Sequence, residues 1–250
     1  MVLSCTLLIG CSKHISYRIG QESYSLDYTP DSETCRQRGS VKIALGTVEN
    51  QVPLKDSSYA RTALFLPAPL IFINAGVHRH SLRLGQSAFD TQLHDFLRDA
   101  FLRESERSGC FEIVGDGSQE YTVHLTILGQ TTKAPYVRSF FRYFTLLSRG
   151  SRYHQKAGPA QSHLVIKLEL KDKERTVIRE FHKPHTQSPI FQENSADKKL
   201  LYNYLEAMVE SVSLAYKFSV EHSIASINRY ISGQDDSYIV PEETDDNWDD

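Results

Sequence analysis

A chain of 250 residues with 40% apolar and 10% aromatic content can bury a core, which excludes a disordered polymer. The net charge of −3 hides two opposed segments: residues 231–250 hold eight acids and no base, while the remainder carries 28 basic against 23 acidic side chains. Beyond the first eleven positions no apolar run approaches the ~18 residues of a spanning helix.

The chain opens Met1-Val-Leu-Ser-Cys-Thr-Leu-Leu-Ile-Gly-Cys11 and turns polar at Ser12-Lys13-His14. Leu8-Ile9-Gly10-Cys11 reads as a lipobox, in which the Gly admits the backbone to a cleaving enzyme and the Cys thiol takes a diacylglycerol. Residues 1–10 are then a truncated signal peptide, since nothing basic precedes Cys11. Residues 11–40 are polar, lack a sustained period and are expected to form a lipidated N-terminus and flexible tether. Ser12 stands where an Asp would hold a lipoprotein in the inner membrane, which predicts the periplasmic face of the outer membrane. With Cys5 lost and Cys11 acylated, Cys35 and Cys110 remain, the even number an exported protein favours. Their settings, one polar and one opening an apolar strand, predict free thiols.

Val41–Val48 alternates as a strand, and residues 51–69, with Pro53, Pro67 and Pro69, are expected to be a connecting loop. Apolar runs Leu70–Asn74 and Val77–Leu84 follow. Phe89, Leu93, Phe96, Leu97, Ala100 and Phe101 make one helical stripe, with Ser87 or Asp90 as cap and Ser108-Gly109 as its end. Cys110–Val114 is a short strand closed by a turn at Gly115-Asp116-Gly117, and Tyr121–Leu128 alternates strictly. A hairpin pairs His163–Leu170 with Arg175–His182, after which Pro184 and Pro189 predict a loop. A long helix is expected from Ser195 to Tyr230, with Leu201, Leu205, Met208, Val212, Ala215 and Ser219 on its seam. Runs of antiparallel strands with two helices on one face predict a two-layer α+β domain over residues 41–230. Residues 231–250 are expected to be a disordered acidic tail.

The layout of lipobox, β-start, Phe89–Leu102 helix, alternating strand, hairpin 163–182 and closing helix resembles small outer-membrane lipoproteins of Gram-negative bacteria. Those most similar are the auxiliary lipoproteins of ABC-type lipid transport systems and the lipopolysaccharide-assembly lipoproteins. The resemblance covers residues 8–14 and roughly 41–230. It implies a non-catalytic, lipid-anchored subunit that binds an envelope protein complex, lipid transport components among them, without a cofactor and without nucleic acid. The competing reading is a soluble cytosolic α+β protein, an enzyme or a nucleic-acid binder, with no lipid anchor.

No nucleophile elbow, P-loop or dinucleotide fingerprint is present, and Asp90, Asp95 and Asp99 fall on a solvated helix face. His78 and His80 share a strand face and His182 and His185 flank Pro184, but zinc needs three or four converging ligands; these are expected to be solvated surface histidines. The unusual feature is the stretch Tyr136–Tyr153, which interleaves Tyr136, Phe140, Phe141, Tyr143, Phe144 and Tyr153 with Arg138, Arg142, Arg149 and Arg152. Lys133 to Lys156 contains no acid at all. Rings with guanidinium groups suit anionic lipid head groups or a protein interface. The structural alternative is an additional strand or hairpin packing its rings on the core, with its arginines in water.

Overall fold

The computed structural model describes residues 23–30, 41–52, 58–68, 71–82, 84, 86–115, 117–145, 147–172, 176–187, 189–194 and 199–233. Cys11, most of the segment before residue 41 and nearly all of the acidic tail lie outside them. The fold is α+β: an open, mostly antiparallel sheet with two helices on one face.

Nine strands are described: β1 (Lys42–Asn50), β2 (Ser58–Ala68), β3 (Ile71–Leu82), β4 (Glu112–Ile113), β5 (Tyr121–Thr145), β6 (Arg149–Ala157), β7 (Gln161–Lys171), β8 (Thr176–Gln187) and β9 (Phe191–Glu193). The helices are α1 (Leu93–Ser108) and α2 (Lys199–Ile231). Strand β5, 25 residues long, belongs to two sheets. Its first half lies between β1, which runs parallel to it, and antiparallel β7; β4 and β8 flank these on the outside. Its second half lies between antiparallel β3 and β6, with β2 and β9 beyond them. We call the first sheet the body and the second the arm.

Alternation explains the body. Val123, Leu125 and Ile127 of β5 and Leu164, Ile166, Leu168 and Leu170 of β7 point to one side and are buried. The helices cover that side with Leu93, Leu97, Phe101, Leu205, Met208, Val212 and Tyr216. Each such side chain, fully buried, stabilises the fold by about 1.5–3 kcal/mol. The opposite side is polar, with Glu169 between Lys167 at 2.7 Å and Lys171 at 3.2 Å. On that side too, a side chain on Gly46 would collide with the His124 ring, 2.6 Å from where its Cβ would stand. The close approach lets His124 Nδ1 accept a hydrogen bond from the Thr47 N–H at 3.1 Å.

Helix α1 begins at Leu93, and neither Ser87 nor Asp90 caps it; the Gln86 side chain accepts the Leu93 N–H at 2.9 Å. Its end is as expected, with Gly109 in the left-handed region (φ 62°) donating to the Ser105 carbonyl. Helix α2 runs back along β5. Near its start the Tyr204 hydroxyl donates to the Pro135 carbonyl at 3.0 Å, and near its end Tyr230 meets the Tyr121 ring edge-on.

Four expectations need correction. Residues 23–30 are not tether: Tyr24 bridges Phe89, Leu26 and Tyr28 are buried, and the Tyr28 hydroxyl donates to buried Glu104 at 2.5 Å. Half of the expected loop 51–69 is strand β2, which carries Pro67 opposite Phe72 on an edge where a missing N–H costs no ladder bond. Pro184 does not end β8, which is likewise an edge strand and continues to Gln187 past an irregularity opposite Ser162–Leu164. Cys110 is not a free thiol but disulfide-bonded, to a cysteine outside the described residues.

Candidate functional site

The segment 136–153 is a hairpin, as the structural alternative held, but most of its rings are not core. β5 runs through Lys133 without a break and returns as β6 in the register Tyr136↔Ala157 to Phe144↔Arg149. Tyr136 alone among the hairpin's rings is buried, and its hydroxyl donates to Gln155 Oε1 at 2.6 Å. Burial pushes its phenol pKa up, against the opposite pull of Arg138. From Val137 to Thr145 no residue of β5 is buried. The helices pack on the body and on the base of the arm, so both faces of the sheet beyond Tyr136 meet solvent among the described residues.

Directly opposed residues in an antiparallel pair share a face, which sorts the candidates. Arg138, Phe140, Arg142, Phe144 and Arg149 lie on one face, continuous with the side that α2 covers further back. Here the guanidinium groups are braced on rings. Arg142 stands 5.4 Å from the Tyr153 ring and 5.7 Å from the Phe140 ring, and its Nε donates to the Tyr153 hydroxyl at 2.8 Å. Arg138 approaches the same Tyr153 ring at 5.5 Å. His78, at the β3 position opposite Arg138, stacks on Phe140 at 5.4 Å. Two cations on one tyrosine are a fixed pair, since ring contact restricts the long arginine stems.

Phe141, Tyr143 and Arg152 lie on the other face. Phe141 and Tyr143 touch each other at 6.2 Å, and the Tyr143 ring lies flat across Gly150, leaving no room there for a side chain. Ser139, Phe141, Arg152, His154 and Asn194 contribute to a shallow cleft of about 430 Å³, with His154 Nδ1 2.9 Å from the Asn194 side-chain oxygen.

The three ion pairs among the described residues all lie elsewhere, in the body sheet and at the start of α1. Strands β2, β3 and β6 and the arm half of β5 contain no Asp or Glu. The outermost arm strand, β9, carries Glu193 opposite Gln155 on the rung of Arg138, and no ion pair joins it to an arginine among the described residues, so cations outnumber acids on the arm. His78 is a ring-stacking member of this face. Among the described residues no three His, Cys, Asp or Glu side chains group to hold a metal, and none of their helices is long and apolar enough to cross a membrane. Tyr153, one of the stretch's interleaved aromatics but not among the candidate contacts, and His78, expected only as a surface histidine, complete the constellation. The signal for them lay in the two-residue period Tyr136-Arg138-Phe140-Arg142-Phe144, which forces a strand and hence a partner strand.

The sequence matches no family model and no curated protein. Several solved structures align with it, two of which follow. One, a crystal structure of an uncharacterized protein, is 12% identical over 84% of this chain and 99% of its own, with a TM-score of 0.33. The other, a hypothetical protein from Chlamydia trachomatis, is 10% identical over 78% of this chain and 99% of its own, with a TM-score of 0.34. Likenesses this distant carry no argument about what the chain does.

Proposed function

We propose that the chain is a lipid-anchored envelope lipoprotein, acylated at Cys11 on the periplasmic face of the outer membrane. It acts as a non-catalytic partner-binding subunit in lipid transport or outer-membrane assembly, and the arm is its contact surface. The observation that carries the second half is the uncovered arm face, where Arg138 and Arg142 share the Tyr153 ring and neither has an ion-pair partner among the described residues. Rings and arginines at fixed spacing are the side chains that dominate contact energies. The Cys110 disulfide supports the exported address, because cytosolic thiols are kept reduced. On this reading Cys5 is removed and Cys11 acylated, which leaves Cys35 as the partner of Cys110.

Labelled palmitate decides the anchor. Expressed in a Gram-negative host, the wild-type chain should incorporate label and Cys11→Ser should not. Label retained by Cys11→Ser sinks the lipoprotein reading. A non-reducing peptide map should join Cys35 to Cys110.

A further inference from the structure

Strand β6 is covered along only part of its outer edge. β9 pairs it at Gln155, Lys156 and Ala157, and Asn194, just past β9, meets the His154 ring. Toward the turn, the phase of the ladder is set by the Thr145 N–H, which donates to the Ser148 carbonyl at 2.8 Å. Bonded and non-bonded pairs alternate from there, so Gly150, Arg152 and His154 direct their backbone groups at β5. Arg149, Ser151 and Tyr153 turn theirs outward, where no strand pairs them among the described residues. The cleft of about 430 Å³ lies along this same edge, with Ser151 and Tyr153 on one face and Arg152 and His154 on the other.

An edge of this kind accepts an extended segment as an added strand. Arg149 and Arg152 are exposed on its two faces, and Arg142 pairs Ser151 across the ladder, so a strand that brings carboxylates is favoured over a neutral one. The chain itself contains such a segment, Asp235-Asp-Ser-Tyr-Ile-Val-Pro-Glu-Glu243, in which Tyr238, Ile239 and Val240 favour strand and acids stand on both sides. Residues 236–240 precede the proline that ends a ladder, and they match in number the uncovered residues 149–153. In its own molecule the segment falls short of this edge. Tyr204 touches Pro135 and Tyr230 touches Tyr121, so α2 runs along β5 with its end away from the arm. Those contacts are ~40 Å apart at ~1.5 Å per helical residue. The free part of β6 lies beyond the first of them. An extended chain leaving Gly233 spans only ~25 Å by Val240.

We infer that residues 235–243 of one copy add as a strand to the free edge of β6 in a second copy, with their carboxylates on Arg142, Arg149 and Arg152. The inference rests on the arm being the contact surface and names an occupant for it; it does not depend on the acyl anchor.

The test uses full chains carrying Cys11→Ser, so that no acyl chain contributes. In sedimentation velocity they should associate as concentration rises, and less so as salt is added. A tail-neutral variant has Asn at Asp235 and Asp236 and Gln at Glu242 and Glu243; an arm-neutral variant has Gln at Arg142, Arg149 and Arg152. Each should self-associate at least ~tenfold more weakly than the parent. Mixed, the two should form a one-to-one pair, since one brings the arm and the other the tail. Ser151→Pro removes an outward N–H and leaves the ladder to β5 whole, so it should abolish association while circular dichroism stays unchanged. Should that proline disturb the fold, a synthetic peptide of residues 234–246 gives a second measurement. It should bind the tail-neutral chain, and N-methylation at both Tyr238 and Ile239, one of which must face β6, should abolish that binding. A parent that stays monomeric while the tail-neutral chain binds the peptide places the segment in its own molecule and overturns the proposal. Association that survives Ser151→Pro, or peptide binding that survives N-methylation, also overturns it, leaving charge attraction without a strand. If neither association nor peptide binding occurs while the arm-neutral variant loses an envelope protein partner, the proposal falls and the contact-surface reading stands.

Discussion

The two halves of β5 are one continuous strand in two different solvents. In the body half, Val123, Leu125 and Ile127 are at most 1% exposed and alternate with Thr122, His124 and Thr126 on the polar side. In the arm half, Phe140 and Phe144 alternate with Phe141 and Tyr143, so both faces carry rings and neither is buried. The body shows a sheet with one core to face. The arm shows a sheet whose apolar groups have no core, and it is this exposed patch that the proposed function takes as the contact surface. What holds the arm in shape is its backbone ladder and contacts between neighbouring rings and guanidinium groups.

Substitutions on the two halves should therefore separate sharply in denaturant. Leu125→Ala leaves a cavity between sheet and helices and should cost ~2–5 kcal/mol of unfolding free energy. Tyr136→Phe, at the boundary, removes the buried hydroxyl that satisfies Gln155 and should cost ~1–3 kcal/mol. If Tyr136→Phe is neutral, the arm is less firmly joined to the body than its geometry indicates.

Acid should attack the body and spare the arm. Partial burial, with Lys171 adding to it, holds the His124 imidazole below its ordinary pKa, so the unfolded chain binds the proton more readily. This contribution is complete above the unfolded value of ~6.5 and is lost as pH falls below it toward the folded pKa. Glu169 acts in the same direction at lower pH: Lys167 and Lys171 hold its carboxylate below the usual range, so its contribution disappears as it protonates. His124→Gln should flatten the fall of the urea midpoint between neutral and mildly acid pH; an unchanged slope would remove His124 from the account.

The smallest effects belong to the arm. Phe144→Ser should change stability by less than ~1 kcal/mol because the ring is already 57% exposed. Replacing Arg138, Arg142 and Arg149 with Gln together should stay within ~1 kcal/mol while binding is lost. A loss of several kcal/mol from Phe144→Ser would return that ring to the core and erase the difference between the halves.

Where one face is buried, the fold was legible. Strict alternation in Tyr121–Leu128 and in the hairpin, and the helical stripes from Leu93 and Leu205, each report an apolar side next to a polar one. The signal failed where that contrast is missing. β5 was not followed past Leu128, where the extra residue breaks the alternation, and beyond Tyr136 both faces are wet; β2 was obscured by the prolines that flank Tyr59–Leu66, which has no strict alternation. The packing of Leu26 and Tyr28 had no period because so short a segment, bridged only at Tyr24, reports no regular element. The candidate arginines were visible from composition alone. Their sorting into two faces needed the register, because a count of charges carries no direction.

That sorting depends on one residue. Ile127 pairs Ile166 and Gly129 pairs Val165, so Leu128 is an extra residue in β5. Before it the odd-numbered positions face the helices; after it Thr132, Ala134 and Tyr136 do. Deleting Leu128 would leave the faces as they are, since Gly129 already takes the next place in the ladder; ironing the bulge out with Leu128 kept in the pleat would turn the arm over like a page. Phe141 and Tyr143 would then continue the helix-covered side, and the Arg138–Arg142 pair would look the other way. Leu128 thus sets the handedness of what the molecule presents, about ten positions from the nearest arginine of the pair, without itself belonging to either surface.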